Sequence, residues 1–110
     1  MIEVVQAFDR ALITALKTDD ASALESKLSA AARLFADRNS WLKPFERIAI
    51  LRRLSVLLEG KREQFGLQIA REGGKPVTDA LIKVDRAIDG VRSAADMLRV
   101  NASSPSLVGA

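Results

Sequence analysis

Seven apolar residues between positions 77 and 98 constrain this chain more than any other feature of it. Val77, Leu81, Val84, Ile88, Val91, Ala95 and Leu98 recur at alternating steps of four and three. An α-helix turns once in about 3.6 residues, so these steps gather all seven on one stripe. On a strand, where side chains alternate, they would scatter over both faces. A stripe of that length suits packing into a bundle or against a sheet. Ala80, Ala87 and Ala94 flank it and would let a neighbour approach closely. Gly90 interrupts it at a cost of about 1 kcal/mol relative to alanine. With Pro76 marking the first turn, the spacing predicts a helix over 77–99.

Helical signals extend upstream as far as residue 19. Asp19, Asp20 and Ser22 are all N-cap residue types, and Ser22 with Glu25 has the spacing of a capping box. Leu24, Leu28, Ala31 and Phe35 follow at steps of four, three and four, which predicts a helix over 20–37, ended by Asn39 and Ser40. Pro44 opens a second helix over 44–59, with Phe45, Ile48, Leu51, Leu54 and Leu58 as its expected buried stripe and Arg47, Arg52 and Arg53 outward. Gly60 permits a break. A third helix over 61–72 then continues the apolar face with Phe65 and Ile69, and Gly73-Gly74 stops it. Residues 1–18 read two ways. Ile2, Val5, Phe8, Leu12 and Leu16 fit one helix face. Ile2 and Val4, then Ala11, Ile13 and Ala15, fit two short strands with Asp9-Arg10 at the bend. The segment 101–110 is loop-like.

A length of 110 residues suits one small domain, and a 48% hydrophobic, 28% charged composition belongs to a folded globular chain. Cysteine and histidine are both absent. Disulfides, thiolate metal sites, cysteine nucleophiles and histidine bases are therefore excluded within it. The N-terminus lacks the pattern of a secretory signal, and no window approaches the ~20 apolar residues of a membrane span. A soluble, cytoplasmic chain is expected. The net charge of +3 is mild and mixed in sign, which argues against a nucleic-acid footprint.

Several residues could carry chemistry, and each has a plainer account. Gly73-Gly74-Lys75 has the look of the end of a phosphate-binding loop, but Pro76 stands where that motif needs a hydroxyl. A helix stop followed by a helix start explains it. Asp85 with Asp89, and Glu59 with Glu63, are carboxylates four apart. They alternate with Lys83, Arg86, Lys61 and Arg62, as on a salt-laced surface. Ser29, Ser55 and Thr78 have no histidine to activate them. Arg47, Arg52, Arg53, Lys61 and Arg62 form a basic group without interleaved aromatic platforms. No catalytic, cofactor-binding or metal-ligating residue is assigned.

Three stretches, taken together, resemble the N-terminal segment of NAD(P)-dependent aldehyde dehydrogenases. Trp41-Leu42-Lys43-Pro44-Phe45-Glu46-Arg47, followed by Ile50-Leu51-Arg52-Arg53-Leu54 and Leu57-Leu58-Glu59, is similar to a family segment with a tryptophan, an arginine six residues on, and an "IL…LL" helix. Glu72-Gly73-Gly74-Lys75-Pro76 resembles the family's "E-x-G-K-P" junction. Lys83-Val84-Asp85-Arg86-Ala87-Ile88-Asp89 resembles "E-V-x-R-A-I-D", with lysine in place of the leading glutamate. With the capped helix before them these cover about residues 20–100.

The resemblance implies a strand pair over 1–16 and a mainly α fold of antiparallel helices. The chain would be a single partial domain, part of an α/β Rossmann-like cofactor domain. It implies a parent enzyme that oxidises an aldehyde to a carboxylic acid or acyl product with NAD or NADP. The family's cysteine nucleophile, oxyanion-stabilising asparagine, glutamate base and nucleotide-binding glycine turn all belong to sequence beyond residue 110. The fragment is thus expected to be inactive alone, to bind no cofactor, and to act as scaffold. Residues 103–110 do not resemble the family's continuation and are expected to mark a truncation, a frameshift or an artificial boundary. The expected partner is the rest of the dehydrogenase chain. A stand-alone interaction module, self-associating through the stripe from Val77 to Leu98, is the other reading.

Overall fold

The computed structural model describes residues 1–102. Two strands, β1 (Ile2–Val5) and β2 (Leu12–Leu16), precede four helices: α1 (Ala21–Ala36), α2 (Pro44–Gly60), α3 (Arg62–Gly73) and α4 (Val77–Ala102). A single 3₁₀ turn, Arg38–Ser40, lies between α1 and α2. The expected helices stand within a residue or so of their bounds, except that α4 runs on through Asn101 and Ala102. Those two residues are therefore helical, not loop; the rest of the expected tail lies outside the described residues.

Residues 1–16 take the strand-pair reading. β1 and β2 run antiparallel with Ile2 opposite Leu16 and Val4 opposite Thr14, and the register shifts after Val4 so that Val5 faces Leu12. Ile13 is the extra residue of this bulge, and it is half-buried. The bend works because Arg10 adopts a left-handed φ of 64°. The Asp9 carboxylate makes that bearable by accepting the Ala11 N–H at 2.9 Å and the Gln6 amide at 3.2 Å. The hairpin is tied to the helices by the Ala7 N–H, which donates to the Arg71 carbonyl at 2.9 Å.

The core lies along α4. Ala80, Val84, Ile88 and Ala95 are buried, with Leu81, Val91 and Leu98 half-buried beside them. Val77 is largely open, and Ala80 stands in its place at the head of the stripe. Two helices cover it in succession and run antiparallel to it: α3 along its first half and α2 along its second. From α2 the inward positions are Ile48, Leu51, Ser55 and Leu58. Phe45 and Leu54 depart from the expected buried stripe and are exposed, because the face toward α4 passes through Ser55 instead. Ser55 fits there because its hydroxyl donates to the Arg52 carbonyl at 2.7 Å, leaving no polar group unpaired. On α3 the contact is made by Gly66, not Phe65. A Cβ added at Gly66 would sit 2.5 Å from Leu81 Cδ2, so a larger residue there would force the Leu81 side chain to shift. Within the chain the 77–98 stripe is therefore covered in part, by α3 and then by α2.

α1 stands apart from that core. Of the expected caps Asp20 is the one used, its carboxylate accepting the Ala23 N–H at 2.8 Å. Ser22 lies inside the first turn and forms no capping box; half of that arrangement appears at α2, where the Glu46 carboxylate accepts the Lys43 N–H at 2.7 Å and the Glu46 N–H donates to the Lys43 carbonyl. At the other end the Trp41 indole N–H donates to the Leu34 carbonyl at 3.1 Å, and Arg38 lies over the Trp41 ring at 4.2 Å. Yet α1 contains no buried residue. The radius of gyration is 18.7 Å, where a compact chain of this length would have about 13 Å. The accessible surface of 8680 Å² likewise exceeds the roughly 6,000 Å² of a compact chain of this mass.

Candidate functional site

The densest charge on the described chain lies where α2 and α3 meet α4. Lys61 breaks the helix between Gly60 and Arg62, so the last turn of α2 and the first of α3 both present charged residues to α4. Arg62 grips Asp85 with two bonds, Nε to Oδ1 at 2.6 Å and Nη2 to Oδ2 at 2.9 Å, while its Nη1 donates to Glu63 at 3.1 Å. Seven residues along α4, Arg92 pairs with Glu59 at 2.7 Å and approaches Asp89 at 3.9 Å. Glu59, Arg62, Asp85, Asp89 and Arg92, with Ile88, line an open groove of about 340 Å³.

The electrostatics of the groove are those of paired ions. The hydrogen bond from Arg62, helped by its charge, holds the Asp85 carboxyl below the usual carboxylate range, with partial burial opposing. Arg62 is raised in turn, chiefly by its hydrogen bond to Asp85, and Arg92 is raised by Glu59. A carboxylate so held gives up no proton near neutrality, so Asp85 has no use as a general acid or base there. The arrangement fixes the register of two helices on a third. The carboxylates Asp85, Asp89, Glu59 and Glu63 lie on the salt-laced surface expected of them, and the Arg62–Asp85 and Glu59–Arg92 pairs cross between helices.

The remaining candidates are dispersed. Gly74 is the left-handed C-cap of α3 at φ 64°, its N–H donating to the Ala70 carbonyl, and the Pro76 carbonyl accepts the Ala80 N–H as α4 begins. The junction is therefore a helix stop and start. Lys75 beside it is lowered from the ordinary lysine value, first by the neighbouring Lys83 side chain and then by partial desolvation. Ser29 and Thr78 are exposed, and Ser55 is buried. Arg47, Arg52, Arg53 and Lys61 are exposed along α2 and its end. Among the described residues no three metal-ligating side chains converge, and no helix is long and apolar enough to cross a membrane.

A dinucleotide needs a glycine turn between a strand and a helix, with the pyrophosphate on the helix N-terminus. Among the described residues the strand-to-helix junction is Lys17-Thr18-Asp19-Asp20, between β2 and α1. It has no glycine, Asp20 already occupies the helix N-terminus, and Asp19 is committed to Lys27. Two carboxylates there would repel a pyrophosphate. These residues do not fit NAD(P).

What the groove and junctions do provide is a helical framework, and it has a counterpart. The model of the aldehyde dehydrogenase family matches residues 1–106. No curated protein and no solved structure matches the chain. The family match spans the hairpin, all four helices and the Glu72–Pro76 junction at once, and on that ground this chain belongs to the aldehyde dehydrogenase family.

Proposed function

We propose that the chain serves as the N-terminal scaffold of an aldehyde dehydrogenase subunit and is inactive alone. The parent enzyme would oxidise an aldehyde to a carboxylic acid or acyl product with NAD(P)+, in the cytoplasm. The observation that carries this reading is the amount of apolar surface left outside a well-packed helical core. Phe8 at the hairpin tip is 94% exposed, and Phe45, Ile50, Val56 and Leu57 on α2 are more than half exposed. Soluble monomers rarely leave large apolar patches open. The rest of a dehydrogenase chain is the partner that would cover the outer side of α2, α3 and the hairpin.

Chemistry supports the same division of labour. Aldehyde oxidation by the family's route begins with a thiolate, and this chain has no cysteine. The best-placed carboxylate, Asp85, is tied up by Arg62. What these residues do is hold α2, α3 and α4 in register and present their outer faces. The test is an assay of aldehyde-dependent NAD(P)H formation by the purified 110 residues over a panel of aliphatic and aromatic aldehydes. No turnover is expected; turnover abolished by a substitution within this chain would refute the scaffold reading.

A further inference from the structure

We propose that α1 is an order–disorder arm, a helix that forms and melts independently of the α2–α4 core. α1 has no buried residue, and Leu24, Leu28 and Phe35 are 54%, 57% and 64% exposed. The contacts that do hold it are local. At its start Asp20 accepts the Ala23 N–H and Asp19 pairs with Lys27. At its end the Trp41 indole donates to the Leu34 carbonyl, and Arg38 lies over both Phe35 and Trp41. Among the described residues, the hydrogen bonds, ion pairs and ring contacts that side chains make with α1 all stay within residues 19–41. None of them reaches the hairpin, α3 or α4.

Most helical stability in a folded protein comes from packing an apolar face, and α1 lacks that contribution. What remains is a sequence rich in alanine and leucine, the Asp20 cap and the clamp of Trp41 and Arg38. Isolated helices shorter than about 15 residues are marginal in water even with good propensity, and α1 has 16. Its helix therefore opens at little cost. α4 stands at the other extreme. Its Ala80, Val84, Ile88 and Ala95 are buried under α3 and α2, so its helix and that packing are lost together. The chain thus holds two units of unequal stability, and the helix content of α1 is set by residues 19–41 alone.

Amide hydrogen exchange on the full chain, followed residue by residue by NMR, tests this directly. Relative to their unfolded rates, the amides of residues 25–36 should exchange at least about tenfold faster than those of residues 84–95. A smaller gap overturns the proposal. Ile88→Val, a mild change that leaves the core folded, should lower α4 protection by about two- to tenfold and leave α1 unchanged. Asp20→Ala removes the cap and should lower the helix content of α1, read from its Cα chemical shifts, without moving α4. An α1 indifferent to that change would refute local capping as its support. Loss in step at both helices, in either variant, would mean one cooperative unit and overturn the proposal.

Discussion

Two glycines in the α2–α3 segment separate what a helix gains from an alanine from what a neighbour loses by it. At Gly60, the last residue of α2, an added Cβ meets nothing within 4 Å. At Gly66, in the middle of α3, it would lie 2.5 Å from Leu81 Cδ2 and 3.1 Å from Cγ. Alanine in either place lowers the entropy of the unfolded chain and favours helix by at most about 1 kcal/mol. At Gly66 that gain is opposed, because carbon atoms rest about 3.5–4.0 Å apart and the whole Leu81 side chain must shift. Overpacking of this kind costs about 1–3 kcal/mol. Leu81 is only half-buried and can swing outward, which sets the cost in the lower part of that range. Gly60→Ala should therefore be neutral or stabilising, and Gly66→Ala less stable than Gly60→Ala by about 1–2 kcal/mol. Thermal unfolding followed by circular dichroism would show this as a gap of at least about 4 °C in Tm. In a Leu81→Ala background the gap should close, since the clash is then gone and the propensity gain remains. Equal Tm values for the two single variants would refute the seating of α3 on α4 at Leu81. A gap that persists without Leu81 would assign the cost to α3 itself.

Three further outcomes follow from the packing and the charges. Ile88→Ala removes one of the four buried apolar side chains on α4 and should cost about 2–5 kcal/mol in urea unfolding; a cost under about 1 kcal/mol would mean α2 is not docked there. Gly74→Ala forces a Cβ into a left-handed residue at φ 64° and to within 3.1 Å of the Ala7 Cβ, so it should lose about 1–2 kcal/mol of stability and loosen the hairpin, read as faster amide exchange at Ala7. Asp85 has a lowered pKa in the folded chain, so its contribution is present above the unfolded aspartate value, about 4, and is lost as pH falls through the folded one. Acid unfolding of Asp85→Asn should lack that part of the wild-type slope, and because the pair is partly exposed the difference should shrink in high salt.

Local signals were legible wherever one residue decides a local conformation. Pro44, Pro76 and Gly74 punctuate the helices as their backbone chemistry requires, and α2, α3 and α4 start and stop there. Pattern alone left 1–16 undecided because the hairpin is held by a bulge at Ile13 and a left-handed Arg10, features with no periodic signature. Packing partners were less legible. The α2 stripe was assigned through Phe45 and Leu54 because both are large and apolar, but a helix crossing selects positions, and Ser55 and Gly66 won theirs by being small. The charged groove was legible as the salt-laced surface its mixed charges predict, but not in its pairings. Spacing along one helix pairs Asp85 with Asp89, whereas the antiparallel register, visible only once α3 lies on α4, gives Asp85 to Arg62.

The same limit governs the largest feature of the molecule. α1 and α4 carry apolar stripes of the same four-and-three spacing, yet α4 holds the core and α1 has no buried residue. Periodicity establishes that a helix has a face to cover; it does not establish which surface covers it. For α4 the answer lies within the chain, because a broken helix, α2 then α3, doubles back along it with the break at Lys61 bracketed by the Glu59–Arg92 and Arg62–Asp85 pairs. For α1, Trp41 and Arg38 close over Phe35 at its C-terminal end, while Leu24 and Leu28 stay more than half exposed among the described residues.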